Sequence, residues 1–405
     1  MKRINLKFLA ILIACAMALS AGLFFLRRFQ VARNAGYLEK LARQRQAEGK
    51  PAEAINLFGR YLGLRPGDDA AYAEYARLIL DRAAAADATR TDLARAYNTL
   101  ETAVRRNPDD DTLRYRLAEF QIRIGRAVDA REHLKVLQEH LATRPPAPEG
   151  HGPAAGEAPR VKPLDANQIK VMLVKSYVGT SDFATAARLA AELVGFDVDA
   201  KQFHEDLSSV VGPTDAYVIL AFVLKDKLEA RDAAQDVMQR LVTVRSEDAQ
   251  AWLALGNWQR QLGTIDAAAE SVARALKIDP GSGDALFAAF ELALTRRDFV
   301  TARELATKAR ETFPLDERSY RGLASVAMQD GKLAEAEEIL LDGVEQLPSK
   351  ASLLLMLGDA YLQQGKLEEV TRTIARIKEL FGTASPAVGL LEARLFVAER
   401  RWKEA

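Results

Sequence analysis

With a single cysteine, Cys15, the 405-residue chain can form no internal disulfide and cannot supply a cysteine-rich metal site. It also lacks any surplus of charge, since 56 Lys and Arg balance 56 Asp and Glu. That balance removes the basic excess with which proteins neutralise nucleic-acid phosphates, so no nucleic-acid partner is expected. Four histidines are present, His133, His140, His151 and His204, and none has a neighbouring cysteine. No glycine-rich phosphate loop joins a strand to a helix, and no local signature brings a serine, histidine and aspartate together. The expectation is therefore no metal, no cofactor, no catalytic residue and no enzyme. Strand-like alternation is scarce, while 49% hydrophobic content marks a folded chain.

The N-terminus departs from this pattern. Residues 8–26, FLAILIACAMALSAGLFFL, carry no charge and stand between Lys2, Arg3 and Lys7 on one side and Arg27, Arg28 and Arg33 on the other. Nineteen helical residues span about 28 Å, close to a bilayer core. The run is read as an uncleaved transmembrane anchor. A cleaved signal peptide is the alternative, favoured by Ala18, Ser20 and Ala21 but opposed by Leu23–Leu26. A third reading takes LIAC, residues 12–15, as a lipoprotein box with Cys15 acylated, against which the apolar run continues to Leu26. Positive residues on both flanks give weak guidance on orientation. The short basic tail places the N-terminus in the cytoplasm and the remainder in a bacterial periplasm, giving an inner-membrane, single-pass protein.

Beyond the anchor the pattern is helical and repetitive. Four segments beginning at 249, 283, 317 and 351 each start 34 residues after the last. The first, AQAWLALGNWQRQLGTIDAAAESVARALKIDPGS, places Trp252, Leu255, Gly256, Gly263, Ala268, Ala275 and Pro280 at positions that recur. The second has Leu286, Ala302, Ala309 and Pro314, with Phe290 at a normally small position and Arg297 at the turn. The third has Tyr320, Leu323, Ala324, Gly331, Ala336, Gly343 and Pro348. The fourth has Leu354, Leu357, Gly358, Tyr361 and Gly365, with Val370 and Gly382 departing from the pattern. Small residues let two helices approach, glycine serves the turn, and proline ends the second helix.

This period and these positions resemble the tetratricopeptide repeat, a helix-turn-helix unit. The resemblance implies an all-α, right-handed superhelical solenoid of antiparallel helix pairs, here preceded by one N-terminal transmembrane helix. The expected organisation is a tail at 1–7, the anchor at 8–26, a juxtamembrane segment at 27–34 and three repeats over 35–144. The second of these, 69–110, is lengthened by AAAADATR, residues 83–90. A Pro/Gly-rich linker or long loop with six prolines follows at 145–163. Degenerate repeats occupy 164–248 with an extra helix near 201–213, four regular repeats span 249–384, and an incomplete one occupies 385–405. The closing RWKEA leads toward a second helix in this register, with Arg400 in the turn-glycine slot, so the chain is expected to be a fragment.

Two local features have plain readings. NPDDD, residues 107–111, reads as a helix cap by Asp110 or Asp111. Of the neighbouring Trp252 and Trp258, Trp252 falls at the core position, and Trp258 is read as packing against another helix.

The resemblance also implies that first helices line a concave face that binds protein or extended peptide. In the regular block these residues are Leu253, Asn257, Arg260 and Gln261, then Phe287 and Glu291, then Arg321, Ser325 and Gln329, then Leu355, Asp359 and Gln363. A family variant grips a carboxylate with a Lys/Asn/Lys/Arg clamp; Asn257 matches its asparagine, but Leu253 stands where lysine is needed. The expected function is a non-enzymatic, membrane-tethered scaffold with a protein or peptide partner. The alternatives are a part of envelope polysaccharide or secretion machinery, and the regulatory arm of an enzyme whose catalytic domain lies beyond residue 405. Homo-oligomerisation has no identifiable surface.

Overall fold

Between successive turn signals, apolar residues recur at three- and four-residue intervals, and each such segment is a helix. The computed structural model describes residues 6–84, 88–143, 164–205, 210–347, 351–383 and 385–402, with side chains from Arg27 onward. The expected linker or loop, 145–163, lies outside these residues, as do 403–405 of the expected incomplete repeat. The chain divides into two compact units, Met1–Ala186 and Ala187–Ala405.

In the first unit α1 (Leu6–Ala47) packs on α2 (Pro51–Leu64), α3 (Asp69–Ala84) on α4 (Arg90–Arg106), and α5 (Asp111–Arg123) on α6 (Ala127–Thr143). The seventh helix, α7 (Ala166–Gly179), lies against α6. Helix starts are locally encoded: Pro51 opens α2, and Thr89 with Asp92 forms a capping box on α4. Residues 85–87 of the long turn before α4 are outside the described set. Phe58, Leu100, Leu113, Leu117 and Phe120 form the centre of this unit's core. Each such side chain contributes on the order of 2–3 kcal/mol of hydrophobic burial.

The N-terminal expectation needs correction. Among the described residues no helix is long and apolar enough to cross a membrane. Instead of a separate anchor at 8–26 and a juxtamembrane segment at 27–34, both stretches belong to the continuous helix α1, which runs on to Ala47. No proline interrupts Leu6–Ala47, so nothing ends the helix at the expected boundary. The side chains before Arg27 are not among those described. The transmembrane helix, the bacterial inner-membrane and periplasmic placement, and the membrane as a partner are withdrawn together.

The division between units falls within α8 (Phe183–Val194). The second unit continues with a two-residue hairpin, β1 (Phe196–Asp197) antiparallel to β2 (Gln202–Phe203). The rings of Phe196 and Phe203 meet edge to face at 5.1 Å. Where an extra helix was expected near 201–213, the described residues include β2; residues 206–209 lie outside them. Helix pairs then follow: α9 (Thr214–Asp226) with α10 (Arg231–Val244), and α11 (Ala249–Gln261) with α12 (Ile265–Ile278). After them come α13 (Gly283–Thr295) with α14 (Phe299–Thr312), α15 (Glu317–Gln329) with α16 (Leu333–Gln346), and α17 (Ala351–Gln364) with α18 (Leu367–Phe381). The last helix, α19 (Pro386–Ala398), packs on α17 and α18.

The 34-residue step is kept by both members of the regular pairs, because the same turn is used each time. Gly263, Gly331 and Gly365 take φ of +79°, +73° and +73°, and Arg297 is forced to +58° in the same slot. Departures from the small-residue pattern are absorbed by neighbours. Phe290 is housed against Gly322 and Ala306. Gln259 accepts a 2.6 Å hydrogen bond from Ser271 of the paired helix.

Candidate protein-binding face of the second unit

First helices of successive pairs stand side by side, and their side chains touch. Arg260 Nη1 on α11 lies 3.9 Å from Glu291 Oε2 on α13. Between α13 and α15, Arg318 Nη1 donates to Asp284 Oδ1 at 2.9 Å, and the Arg318 guanidinium covers the Phe287 ring at 4.1 Å. Asp359 on α17 pairs with Arg394 on α19. These contacts make the first helices of this unit a continuous face.

The twelve residues expected on that face divide by burial. Leu253 and Phe287 are 6% and 7% exposed, and they pack with Ala268 and Val272 and with Ala309 and Phe313 respectively. They serve the core rather than an accessible surface. Leu355 is half-buried against the core of the last pairs. Arg260, Gln261, Glu291, Arg321, Gln329 and Gln363 are exposed, while Asn257, Ser325 and Asp359 are half-buried.

The polar members differ in what they already hold. Arg260 and Glu291 are spent on each other, and Asp359 on Arg394. Asn257, Gln261, Ser325, Gln329 and Gln363 make no hydrogen bond among the described residues. Gln261, Gln329 and Gln363 occupy one register position, repeated at the 34-residue step apart from α13. Near Arg321, burial pushes the Glu317 carboxyl up while the Arg321 charge pulls it down, leaving it net raised. Hydrogen bonds donated to Asp316 and Asp284 hold the Arg318 guanidinium protonated still more firmly than usual.

Other singled-out residues settle elsewhere. Asp110 caps α5, its Oδ1 accepting from the Leu113 N–H at 2.8 Å. His140 Nδ1 lies 2.7 Å from Asp111 Oδ1, and burial pushes the His133 imidazole down. Among the described residues no group of three or more His, Cys, Asp or Glu could hold a metal ion. Trp258 is the buried tryptophan, at 6% exposure, whereas Trp252 is partly exposed and donates to the Ser246 carbonyl at 2.8 Å. Sequence reasoning missed Arg318 and Arg394; the signal available was their spacing, 34 residues from Asp284 and 35 from Asp359.

Comparison with known proteins follows the same lines. Family models described as tetratricopeptide repeat match residues 89–147 and 327–395, and 224–283 and 287–351, together more than half of the chain. No curated protein matches the chain. Similar solved structures include a tetratricopeptide repeat protein from Parabacteroides merdae, at 15% identity and TM-score 0.42, covering 71% of this chain and 98% of that one. PilF of Pseudomonas aeruginosa has 14% identity and TM-score 0.40, covering 56% and 97%. Yeast Tom70 has 14% identity and TM-score 0.31, covering 92% and 97%. At these identities and scores, none of the three bears on what the chain binds.

Proposed function

This chain belongs to the tetratricopeptide repeat family, and on that premise we propose that it is a non-enzymatic scaffold whose first-helix face in the second unit binds an extended protein segment. The observation that carries the reading is the set of side-chain hydrogen-bonding groups left unused there among the described residues: Asn257, Gln261, Ser325, Gln329 and Gln363. An extended segment presents unpaired backbone N–H and C=O groups at regular intervals. Amide side chains, each both donor and acceptor, match that alternation irrespective of the segment's own side chains. The neighbouring Arg260–Glu291 and Asp359–Arg394 pairs neutralise most of the face's charge, so shape and hydrogen bonding dominate recognition. No membrane tether enters this mechanism; affinity comes from the face alone.

Selection of random linear peptides on the immobilised full chain tests the reading. A variant carrying Gln261→Ala, Gln329→Ala and Gln363→Ala should bind the selected peptides about tenfold more weakly, with its melting temperature unchanged. Equal binding by both proteins would place the ligand on another surface.

A further inference from the structure

Arg321 stands apart from the other members of its row. Leu253, Phe287 and Leu355 occupy the same register position on α11, α13 and α17, and they are buried or half-buried. A hydrophobic residue on α15 would continue that packing; an exposed guanidinium gives it up. Nor is the charge consumed within the protein. Among the described residues Arg321 makes no ion pair or hydrogen bond, in contrast to Arg260, Arg318 and Arg394 around it. Glu317, one turn back on the same helix, stays beyond ion-pair distance and half-buried.

The second helices carry unpaired charge of both signs, with Lys277, Lys308 and Arg376 exposed and without ion pairs among the described residues. Glu304 and Glu311 on α14 recur 34 residues later as Glu338 and Glu345 on α16, all exposed and without ion pairs among the described residues. On the first helices of this unit, by contrast, an anionic group finds one cation without an ion pair among the described residues, Arg321. Ser325 lies one turn along α15, with a hydroxyl that makes no hydrogen bond among the described residues. A guanidinium beside a free hydroxyl suits a single carboxylate, which it can grip with two parallel N–H donors.

We infer that the segment bound on this face carries one acidic side chain, seated at Arg321, within an otherwise uncharged or basic stretch. This deepens the proposed function and rests on it. The face offers one such seat among the described residues, because its other arginines, Arg260, Arg318 and Arg394, are already paired.

The experiment uses the same random peptide selection on the full wild-type chain and on an Arg321→Glu variant. Wild type should enrich Asp or Glu at one fixed place in the selected peptides, and the variant should enrich Lys or Arg there instead. Peptides chosen by wild type should bind the variant about tenfold more weakly, with melting temperature unchanged. Peptides that depend on Gln261, Gln329 and Gln363 but show no acidic preference would overturn the Arg321 seat and leave the proposed function standing. If no peptide is selected on the face at all, both fall.

Discussion

Gly343 on α16 lies so close to the ring of Tyr320 on α15 that a Cβ placed on it would stand 2.7 Å from Tyr320 Cδ1 and 2.9 Å from Leu353 Cδ1. Tyr320 cannot easily yield, since the Arg310 guanidinium covers it at 4.0 Å and is itself tied to Asp342 at 2.8 Å. Gly343→Ala gains about 1 kcal/mol in helix propensity. Overpacking costs typically about 1–3 kcal/mol, so a net loss is expected, read as a lower urea midpoint. A variant more stable than wild type would show that the ring moves aside.

Arg297 offers a change of opposite sign. Its φ of +58° occupies the turn slot filled by Gly263, Gly331 and Gly365 in the other regular pairs. A side chain in that conformation costs roughly 1–2 kcal/mol, partly offset by the greater freedom of an unfolded glycine. Arg297→Gly should therefore stabilise the chain by about 0.5–1 kcal/mol, measured by the same urea titration. A destabilised variant would mean that the guanidinium makes a contribution the turn geometry conceals.

In the first unit, Tyr61 donates a 2.5 Å hydrogen bond to Asp68. That bond, with the Ala71 N–H, holds the Asp68 carboxyl below its ordinary value, while burial and Asp68 push the Tyr61 hydroxyl up to about 12. The pair's stabilisation is fully present between about pH 4 and about pH 10, the unfolded carboxylate and phenol values. It is lost on acidification as pH falls through the lowered Asp68 value, and on alkalinisation as pH rises from about 10 through the Tyr61 value. Tyr61→Phe should cost about 1 kcal/mol at neutral pH, with the gap to wild type closing at low pH. A gap that persists unchanged under acid would assign the loss to packing.

The Arg260–Glu291 contact is exposed and long at 3.9 Å. A double-mutant cycle on its Ala variants should give a coupling of at most about 0.2–1 kcal/mol, and molar salt should abolish it by screening. Coupling that survives salt would mean that the two side chains interact through packing.

Much of the second unit was legible in the chain. The positions of Gly263, Gly331 and Gly365 mark real left-handed turns, and helices α11 to α18 begin at the 34-residue step. These features were readable because turn conformation and helix start depend on a few neighbouring residues. The N-terminal run misled because its apolar length was judged without the helix it belongs to; α1 continues through Arg27, Arg28 and Arg33 to Ala47. Trp252, expected at the core position, is the more exposed of Trp252 and Trp258 for a similar reason. Repeat position assigns a helix face, but the volume left beside that face is set by other helices.

The candidate face shows the same division. By itself the sequence determined that Leu253, Phe287, Arg321 and Leu355 share one register position and that glutamines recur at another, because helical periodicity is local. Tertiary structure alone decided that Leu253 and Phe287 are enclosed, that Arg260 and Asp359 are paired across neighbouring helices, and that Arg321 and the glutamines have no ion pair or side-chain hydrogen bond among the described residues. Exposure and pairing are properties of the space between helices, and that space exists once the repeats have stacked.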